Sequence, residues 1–408
     1  MSFWTDPIAI IENLISGWLA GLGMGEGWIT FILAFLGAAV YALVVMLFVV
    51  LLIWVERKIL GRFQDRLGPN RIGPWGIFQT IADMLKIFTK EYITPNGVDK
   101  VPYNLAPMLA VAGVLAVWAV IPLGATIFGA NLNVGVLYVV AIGALGELGI
   151  ILAGWSSRNK YATLGGFRAV ALLVSYEVPL VVTLLIPVLF SGSMGMNDIV
   201  FAQKSMWYIV LAPVAALIFL ITSIAENGRA PFDLTEADSE IVAGFNVEYS
   251  GLKFGMYYVA DFMHTFTIAF LFATLWLGGW LGPWAEKYPM LGIFYTTFKA
   301  WFIYFTILWL RGSLPRFRID QMINLNWKVL TPLALVMLML TAVVNHLIPA
   351  GMLVVRILAL LALNGALLFV TGKLLDRFAG QTKRVVVALE PRPVARPEPV
   401  ATESGTGV

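Results

Sequence analysis

Apolar stretches of about twenty residues recur along almost the whole chain, and this repetition limits the possible folds more than any other feature. A helix of that length crosses the hydrocarbon core of a bilayer, which is roughly 30 Å thick. Only 12% of the residues are charged, about half the share usual in soluble domains. The sequence lacks a long barrel-type alternation, so we predict an all-α polytopic membrane protein. Its nine predicted spans cover residues 28–54, 105–128, 134–154, 167–190, 206–225, 253–280, 291–310, 330–348 and 351–374.

Basic residues concentrate in every second connection between these spans. Most of the 27 Lys and Arg residues fall in such segments, whereas the alternate connections hold Lys204, Lys287 and Lys299. Cytoplasmic loops carry the excess of Lys and Arg, so this pattern predicts an N-terminus outside the cell. The net charge of +3 reflects this topology rather than nucleic-acid binding. The predicted cytoplasmic segments are 55–104, 155–168, 226–253, 311–328 and 373–408.

The two ends of the chain are predicted to lie outside the helix bundle, which spans 28–374. Residues 1–27 contain no Lys or Arg and therefore lack the basic region of a signal peptide. Within them, 7–20 is typical of a short helix at the membrane surface. Residues 375–408 become rich in Pro and small side chains, which predicts a largely disordered cytoplasmic tail.

The chain has no cysteine and only two histidines, His264 and His346. Iron–sulfur ligation by this chain is therefore excluded. The predicted topology separates the two histidines, which argues against a bis-histidine haem. Electrons for any redox reaction would have to come from a partner chain.

Two glutamates, Glu147 and Glu177, lie inside predicted spans. A charge at the centre of a membrane helix costs about 2.5–3.5 kcal/mol, so each should be paired, face a wet interior or be neutral. One interpretation is a neutral acid that makes a single interhelical hydrogen bond. The other is a proton relay, which Asp261 and His264 could extend.

The connection between the fifth and sixth spans is unusually acidic. Its carboxylates face a single basic residue, Arg229. Neighbouring carboxylates titrate together, which suits them to storing and passing protons. A solvated charge run and an oxygen-ligand site for Ca²⁺ or Mg²⁺ are the alternatives. The acids are Glu226, Asp233, Glu236, Asp238, Glu240 and Glu248.

The first long connection combines an amphipathic pattern with charges. Helical periodicity of apolar residues starts at Pro74 and predicts a helix at the membrane surface. Such a helix could anchor the loop, or form one wall of a portal for an amphipathic, lipid-soluble substrate. In the second interpretation, the polar head would be held by Arg57, Arg66, Asp83 and Lys86.

The connection 311–328 is basic. It could be a positive-inside anchor, or it could pair with the acidic connection or with a docked soluble protein. The basic residues are Arg311, Arg316, Arg318 and Lys328.

Three segments of the chain closely resemble one family of membrane proteins, the H-type (or type 1) subunits of respiratory NADH-quinone oxidoreductase, complex I. They are ERKILGRFQDRLGPNRIGPWGIFQTIADMLKIFTKE, AENGRAPFDLTEADSEIVAGFNVEYSG and LPRFRIDQMINLNWK. The resemblance implies a membrane protein that forms part of a quinone chamber and couples quinone reduction to proton translocation. The alternatives are the equivalent component of a membrane-bound hydrogenase and a stand-alone ion-coupled transporter. A transporter should show an inverted repeat, and the sequence shows no clear one.

The resemblance also implies roles for residues. Near the quinone entrance or chamber it places Gln64, Arg66, Asp83, Lys86, Arg229 and Phe245, to which the charge pattern adds Arg57. On an acidic proton path it places Glu91, Glu147, Glu177, Glu226, Asp233, Glu236, Asp238, Glu240 and Glu248, and Asp261 extends that path. Asp238 and Asp261 stand where the family usually has Glu, and Leu172 stands where it usually has Gln.

The resemblance further implies no prosthetic group or metal in this chain, with quinone as its substrate. Flavin mononucleotide (FMN) and iron–sulfur clusters would belong to partners. Those partners would be the quinone-site and iron–sulfur subunits of the peripheral arm, small membrane subunits and antiporter-like subunits. The expected location is the bacterial inner membrane.

Overall fold

The computed structural model describes residues 7–235, 238–348 and 352–382, and all regular secondary structure in them is helical. Eight of the described helices are long and apolar enough to cross a membrane. The predicted polytopic helical bundle is therefore confirmed. The eight are Glu26–Phe63, Lys100–Val120, Gly135–Ser156, Lys160–Ser191, Gly251–Trp276, Pro289–Ser313, Ile319–Leu347 and Val354–Arg377.

In chain order, we number the α-helices α1 to α15. They are Pro7–Gly21, Glu26–Phe63, Gln79–Thr89, Lys100–Val117, Gly135–Ser156, Lys160–Ser191, Met196–Ala202, Tyr208–Leu211, Pro213–Glu226, Asp238–Ile241, Gly251–Trp276, Pro289–Ser313, Ile319–Leu325, Thr331–Leu347 and Leu353–Thr382. A π-helix, Asn326–Leu330, joins α13 to α14.

Helix α11 forms the centre of the bundle. It packs against α2, α3, α4, α9 and α12, and most of its apolar window is buried. Aromatic side chains fill this core, and the indole of Trp118 donates a 2.7 Å hydrogen bond to Thr267 on α11. The central helix therefore bears on every element that surrounds the site described below.

Small residues allow α4 and α5 to approach closely. A Cβ on Gly113 would lie 2.8 Å from the backbone nitrogen of Gly146, and a Cβ on Gly149 would lie 2.8 Å from the carbonyl of Ala106. Apolar lipid provides little drive for helix association, so close backbone packing of this kind stabilises membrane bundles.

The fifth predicted span, 206–225, is broken rather than continuous. It consists of α8 and α9, separated at Ala212, and Pro213 is the first residue of α9. A proline has no backbone N–H and fits best at a helix start, which explains the break. Asn364 of α15 compensates for it: its side chain donates to the carbonyl of Leu211 and accepts from the N–H of Val214.

Other boundaries also differ from the prediction. The helix expected from Pro74 begins at Gln79 instead, because Trp75 has a left-handed backbone (φ 53°) and Pro74–Gly76 forms one 3₁₀ turn. The eighth span starts earlier, at Ile319, and α15 continues past residue 374 to Thr382. Helix α1 confirms the predicted N-terminal helix, whereas its place at the membrane surface stays a prediction. The predicted hairpin at 349–351 and tail residues 383–408 lie outside the described residues.

Candidate functional site

The acidic connection covers an open cavity that encloses about 1000 Å³. The walls come from α4, α5 and α11, and the cover comes from residues 226–235 and Phe245. Apolar side chains make up much of the lining, and four carboxylates enter it. These are Glu147, Glu226, Asp233 and Asp261.

A second cavity of about 560 Å³ lies between α4, α5, α6, α9 and α11. Glu177 of α6 lines it. Glu147, Glu226 and His264 line both cavities. The structure therefore brings together five acids that are far apart in sequence, around two adjoining spaces.

Arg229 lies beside the first cavity in a buried chain of ion pairs. Its guanidinium donates to Glu56 at 2.6 Å and to Asp261 at 2.8 Å. Glu56 also accepts from Arg311, and Tyr304 donates to it at 3.3 Å. Burial by itself lowers the pKa of Arg229, but the carboxylate of Asp261 outweighs burial, so the pKa lies above its ordinary value. Arg229 therefore remains a fixed positive charge at the cavity.

Glu56 was missed by the sequence analysis, although the sequence carries a signal for it. Val45, Val49, Leu52 and Glu56 are buried residues of α2 at helical spacing. A carboxylate that continues an apolar stripe lies on the buried face of its helix and needs a partner. That partner, Arg229, is 173 positions away in the chain, and no local pattern could have identified it.

His264 lies one turn from Asp261 and contacts the start of the acidic connection. Its Nδ1 is 2.9 Å from Oδ1 of Asn227. Asn227 donates in turn to Thr265, whose hydroxyl donates to the carbonyl of Asp261. These bonds fix the connection against α11 where the two cavities meet.

Three of the residues predicted to hold a polar head form one cluster. Arg57 donates to Asp83, and Lys86 lies 3.6 Å from the same carboxylate. Partial burial raises the pKa of Asp83, but the hydrogen bond and charge of Arg57 outweigh it, so the pKa of Asp83 is below its usual value. Arg66 donates to Gln64 at 2.7 Å in the exposed turn after α2. None of these five residues lines the two cavities.

The remaining predicted residues divide between the cavity wall and the surface. Phe245 is buried and packs edge-on against Tyr257 in the wall. Glu240 accepts from Arg168 at 2.5 Å, and Glu248 accepts from Asn159 at 2.6 Å. Glu91 is exposed, and these three acids do not line the cavities.

Two predicted acids cannot be placed. Glu236 lies outside the described residues, and for Asp238 the structure describes only the backbone. In the part of the chain that is described, no group of three or more His, Asp or Glu residues is arranged to hold a metal ion.

The sequence model of the NADH dehydrogenase family matches residues 36–342. The chain belongs to the NADH dehydrogenase family. All the carboxylates around the two cavities fall within the matched range, whereas α15 begins after it. The buried ion-pair chain also lies within the range, so the candidate site is built from the family's own part of the chain.

Curated relatives of this family are similar over most of their length. The H-type subunit of NADH-quinone oxidoreductase from Brevibacillus brevis is 43% identical over 323 residues, which is 79% of this chain and 96% of the relative. The same-named protein of Dehalococcoides mccartyi is 40% identical over 330 residues, 81% of this chain and 91% of the relative. The first of the numbered H-type proteins of Geobacter metallireducens is 44% identical over 299 residues, 71% and 89% respectively. These relatives confirm the resemblance and favour it over the hydrogenase and transporter alternatives.

Proposed function

We propose that this chain is the membrane subunit of a proton-translocating NADH-quinone oxidoreductase, complex I, in the bacterial inner membrane. It would form part of the quinone chamber and couple quinone reduction to proton translocation. One observation carries the proposal: Glu147 and Glu226 line both cavities. A route of ionisable oxygens therefore leads from the acidic connection to Glu177 inside the bundle.

The first cavity suits the head of a lipid-soluble substrate. Binding sites for such molecules are concave and mostly apolar, with a few convergent polar groups. Ala110, Val114 and Phe245 supply apolar walls, and Asp261 and Arg229 supply polar groups. The charge of Arg229 would attract the electron-rich oxygens of a quinone as it is reduced.

The Arg57–Asp83–Lys86 cluster suits the entrance rather than the end of the chamber, because it lies apart from the cavities. It is positioned by α3, near which Phe78, Ile81, Leu85 and Phe88 are exposed. An exposed apolar face beside charged side chains is typical of a helix at the lipid boundary. A quinone arriving from the bilayer would meet the apolar face with its tail and the charged cluster with its head.

Reduction of a quinone to a quinol takes up two electrons and two protons. The electrons would come from FMN and iron–sulfur clusters in peripheral-arm subunits. A proton taken from Asp233 or Asp261 changes the charge beside Glu226, and coupled acids respond by changing their own proton affinity. In this sequence Glu226, Glu147 and Glu177 would pass the change inward, toward small membrane subunits and antiporter-like subunits.

The proposal is tested on the assembled complex in inverted membrane vesicles. Glu177→Gln and Glu147→Gln should each lower NADH-driven acidification and quinone reduction by roughly tenfold or more, because an amide cannot carry a proton. Reduction of ferricyanide by the peripheral arm should remain unchanged. Glu286→Gln is the matched control, since Glu286 forms an exposed ion pair with Lys204.

Two results would contradict the proposal. One is full acidification in both intramembrane variants. The other is purification of the chain from the membrane without flavin and iron–sulfur partners, which a transporter would show.

A further inference from the structure

Pro179 leaves one carbonyl of α6 without its usual donor. The helix runs over Lys160–Ser191 and contains Pro179 in its interior. A proline has no backbone N–H, so the carbonyl four residues earlier, that of Ser175, loses its intrahelical hydrogen bond. Inside a membrane protein such a group must find another partner or cost several kcal/mol.

Asn326 supplies the missing donor from another part of the chain. Its side-chain Nδ2 donates to the carbonyl oxygen of Ser175, and Asn326 is completely buried. Asn326 is also the first residue of the π-helix Asn326–Leu330. Single π-helical turns are rare and occur frequently at functional sites.

Two more hydrogen bonds fasten the same turn of α6. The indole of Trp327 donates to the hydroxyl of Ser175 at 3.2 Å, and the hydroxyl of Tyr176 donates to the carbonyl of Met322 at 2.9 Å. Glu177 is the next residue. The backbone that aims Glu177 into the second cavity is therefore held by residues 322–327.

The other end of this segment holds the acidic connection. The N–H of Phe317 donates to the carbonyl of Pro231 at 3.0 Å. The ring of Phe317 lies 5.5 Å from that of Phe232, which in turn lies 5.8 Å from that of Tyr176. Residues 317–327 thus bridge the cover of the first cavity and the helix turn that carries Glu177.

We propose that Asn326 is a positioning residue for Glu177, and that residues 317–327 transmit movement of the acidic connection to that carboxylate. This inference rests on the proposed function, in which Glu177 passes protons. Asn326 does not touch substrate or proton. It sets the position of a carboxylate by completing the helix at Pro179.

The test compares Asn326→Leu with the double variant Pro179→Ala/Asn326→Leu in the assembled complex. Asn326→Leu removes the donor, and Pro179→Ala restores a backbone N–H to the carbonyl of Ser175. We expect Asn326→Leu to lower quinone-reductase turnover per assembled complex roughly threefold to tenfold, the kinetic equivalent of one hydrogen bond. Its pH profile should shift by about half a unit or more, and the double variant should recover both.

Asn345→Leu is the matched control. Asn345 is a second asparagine of the same helical hairpin, and it accepts a hydrogen bond from Arg356 far along the chain from Asn326. This variant should keep the wild-type pH profile. A merely structural role for Asn326 would lower the amount of complex while leaving the pH profile of the remainder unchanged.

The inference is overturned by wild-type turnover and pH profile in Asn326→Leu, or by a defect that Pro179→Ala does not correct. If Asn326→Leu does not assemble, Trp327→Phe removes only the bond to the Ser175 hydroxyl. An unshifted pH profile in that variant then overturns the inference. Glu177→Gln, measured alongside, separates the two proposals: normal coupling there refutes the role of Glu177, whereas recovery by Pro179→Ala tests the hydrogen bond itself.

Discussion

The guanidinium of Arg229 lies 2.6 Å from the carboxylate of Glu56, and the two side chains are only 3% and 4% exposed. This pair joins the end of α2 to the connection that covers the first cavity. Removing one partner of a buried pair is far costlier than removing both, because a charge is left unpaired in the interior. The pair therefore fixes the position of the cover on the bundle.

Glu56→Gln should destabilise the assembled complex by about 3 to 5 kcal/mol, since Arg229 and Arg311 then face each other without this carboxylate. Thermal inactivation of the complex measures this loss. Glu286→Gln, in an exposed ion pair, should cost about 1 kcal/mol or less. Equal stability of the two variants would refute the importance of the buried pair.

Asp83→Asn should loosen α3, because it removes the ion pair with Arg57. The pKa of Asp83 is lowered in the folded protein, so the pair contributes fully above the ordinary pKa of 3.8 and is lost as the pH falls through the lowered value. Amide exchange of residues 79–89 should therefore be faster in the variant, roughly two- to fivefold, at both pH 7 and pH 5. Asp376→Asn, on exposed α15, should exchange like the wild type at residues 79–89. A difference that disappears by pH 5 would contradict the lowered pKa.

Gly165→Ala should displace the wall of the first cavity. A Cβ at this position would lie 2.7 Å from the backbone of Gly244, next to Phe245. Quinone-reductase turnover should fall by about tenfold or more, since a misplaced binding wall affects the reaction strongly. Gly37→Ala is the control, because no atom lies within 4 Å of its Cβ. Wild-type turnover in Gly165→Ala would show that the contact can relax.

Asn364→Leu should weaken the attachment of α15 at the break between α8 and α9. The carbonyl of Leu211 and the N–H of Val214 would lose their partner, at a cost of about 2 kcal/mol or more. Thermal inactivation and limited proteolysis of α15 in the complex measure this. Thr371→Val, which removes a hydroxyl bonded within the same helix, should have little effect. Indistinguishable variants would contradict the role of Asn364.

Local sequence patterns predicted the spans well because hydrophobic length is a local property. They did not predict the break at Ala212, since a proline at residue 213 fits both a kinked helix and a new start. The acids at 147 and 177 could be identified because a charge in an apolar run is conspicuous. Glu56 stands at the end of such a run, where charges are common, and only its distant partner shows that it is buried.

The site was predicted in its composition but not in its grouping. Glu226, Asp233 and Asp261 meet Glu147 at the cavities, whereas Glu240 and Glu248 pair elsewhere with Arg168 and Asn159. Spacing along the acidic connection could not separate these groups, because its turns decide which side chains face inward. The roles of Asn326 and Asn364 depend on contacts between distant segments, for which the sequence gives no periodic signal.

The most direct test of the account is NADH-driven acidification of inverted vesicles that contain the Glu226→Gln complex, because Glu226 lines both cavities. The account predicts that acidification and quinone reduction fall by roughly tenfold or more while ferricyanide reduction stays at the wild-type rate. Glu226→Asp should retain part of both activities. Wild-type acidification by an assembled Glu226→Gln complex would contradict the proposed route.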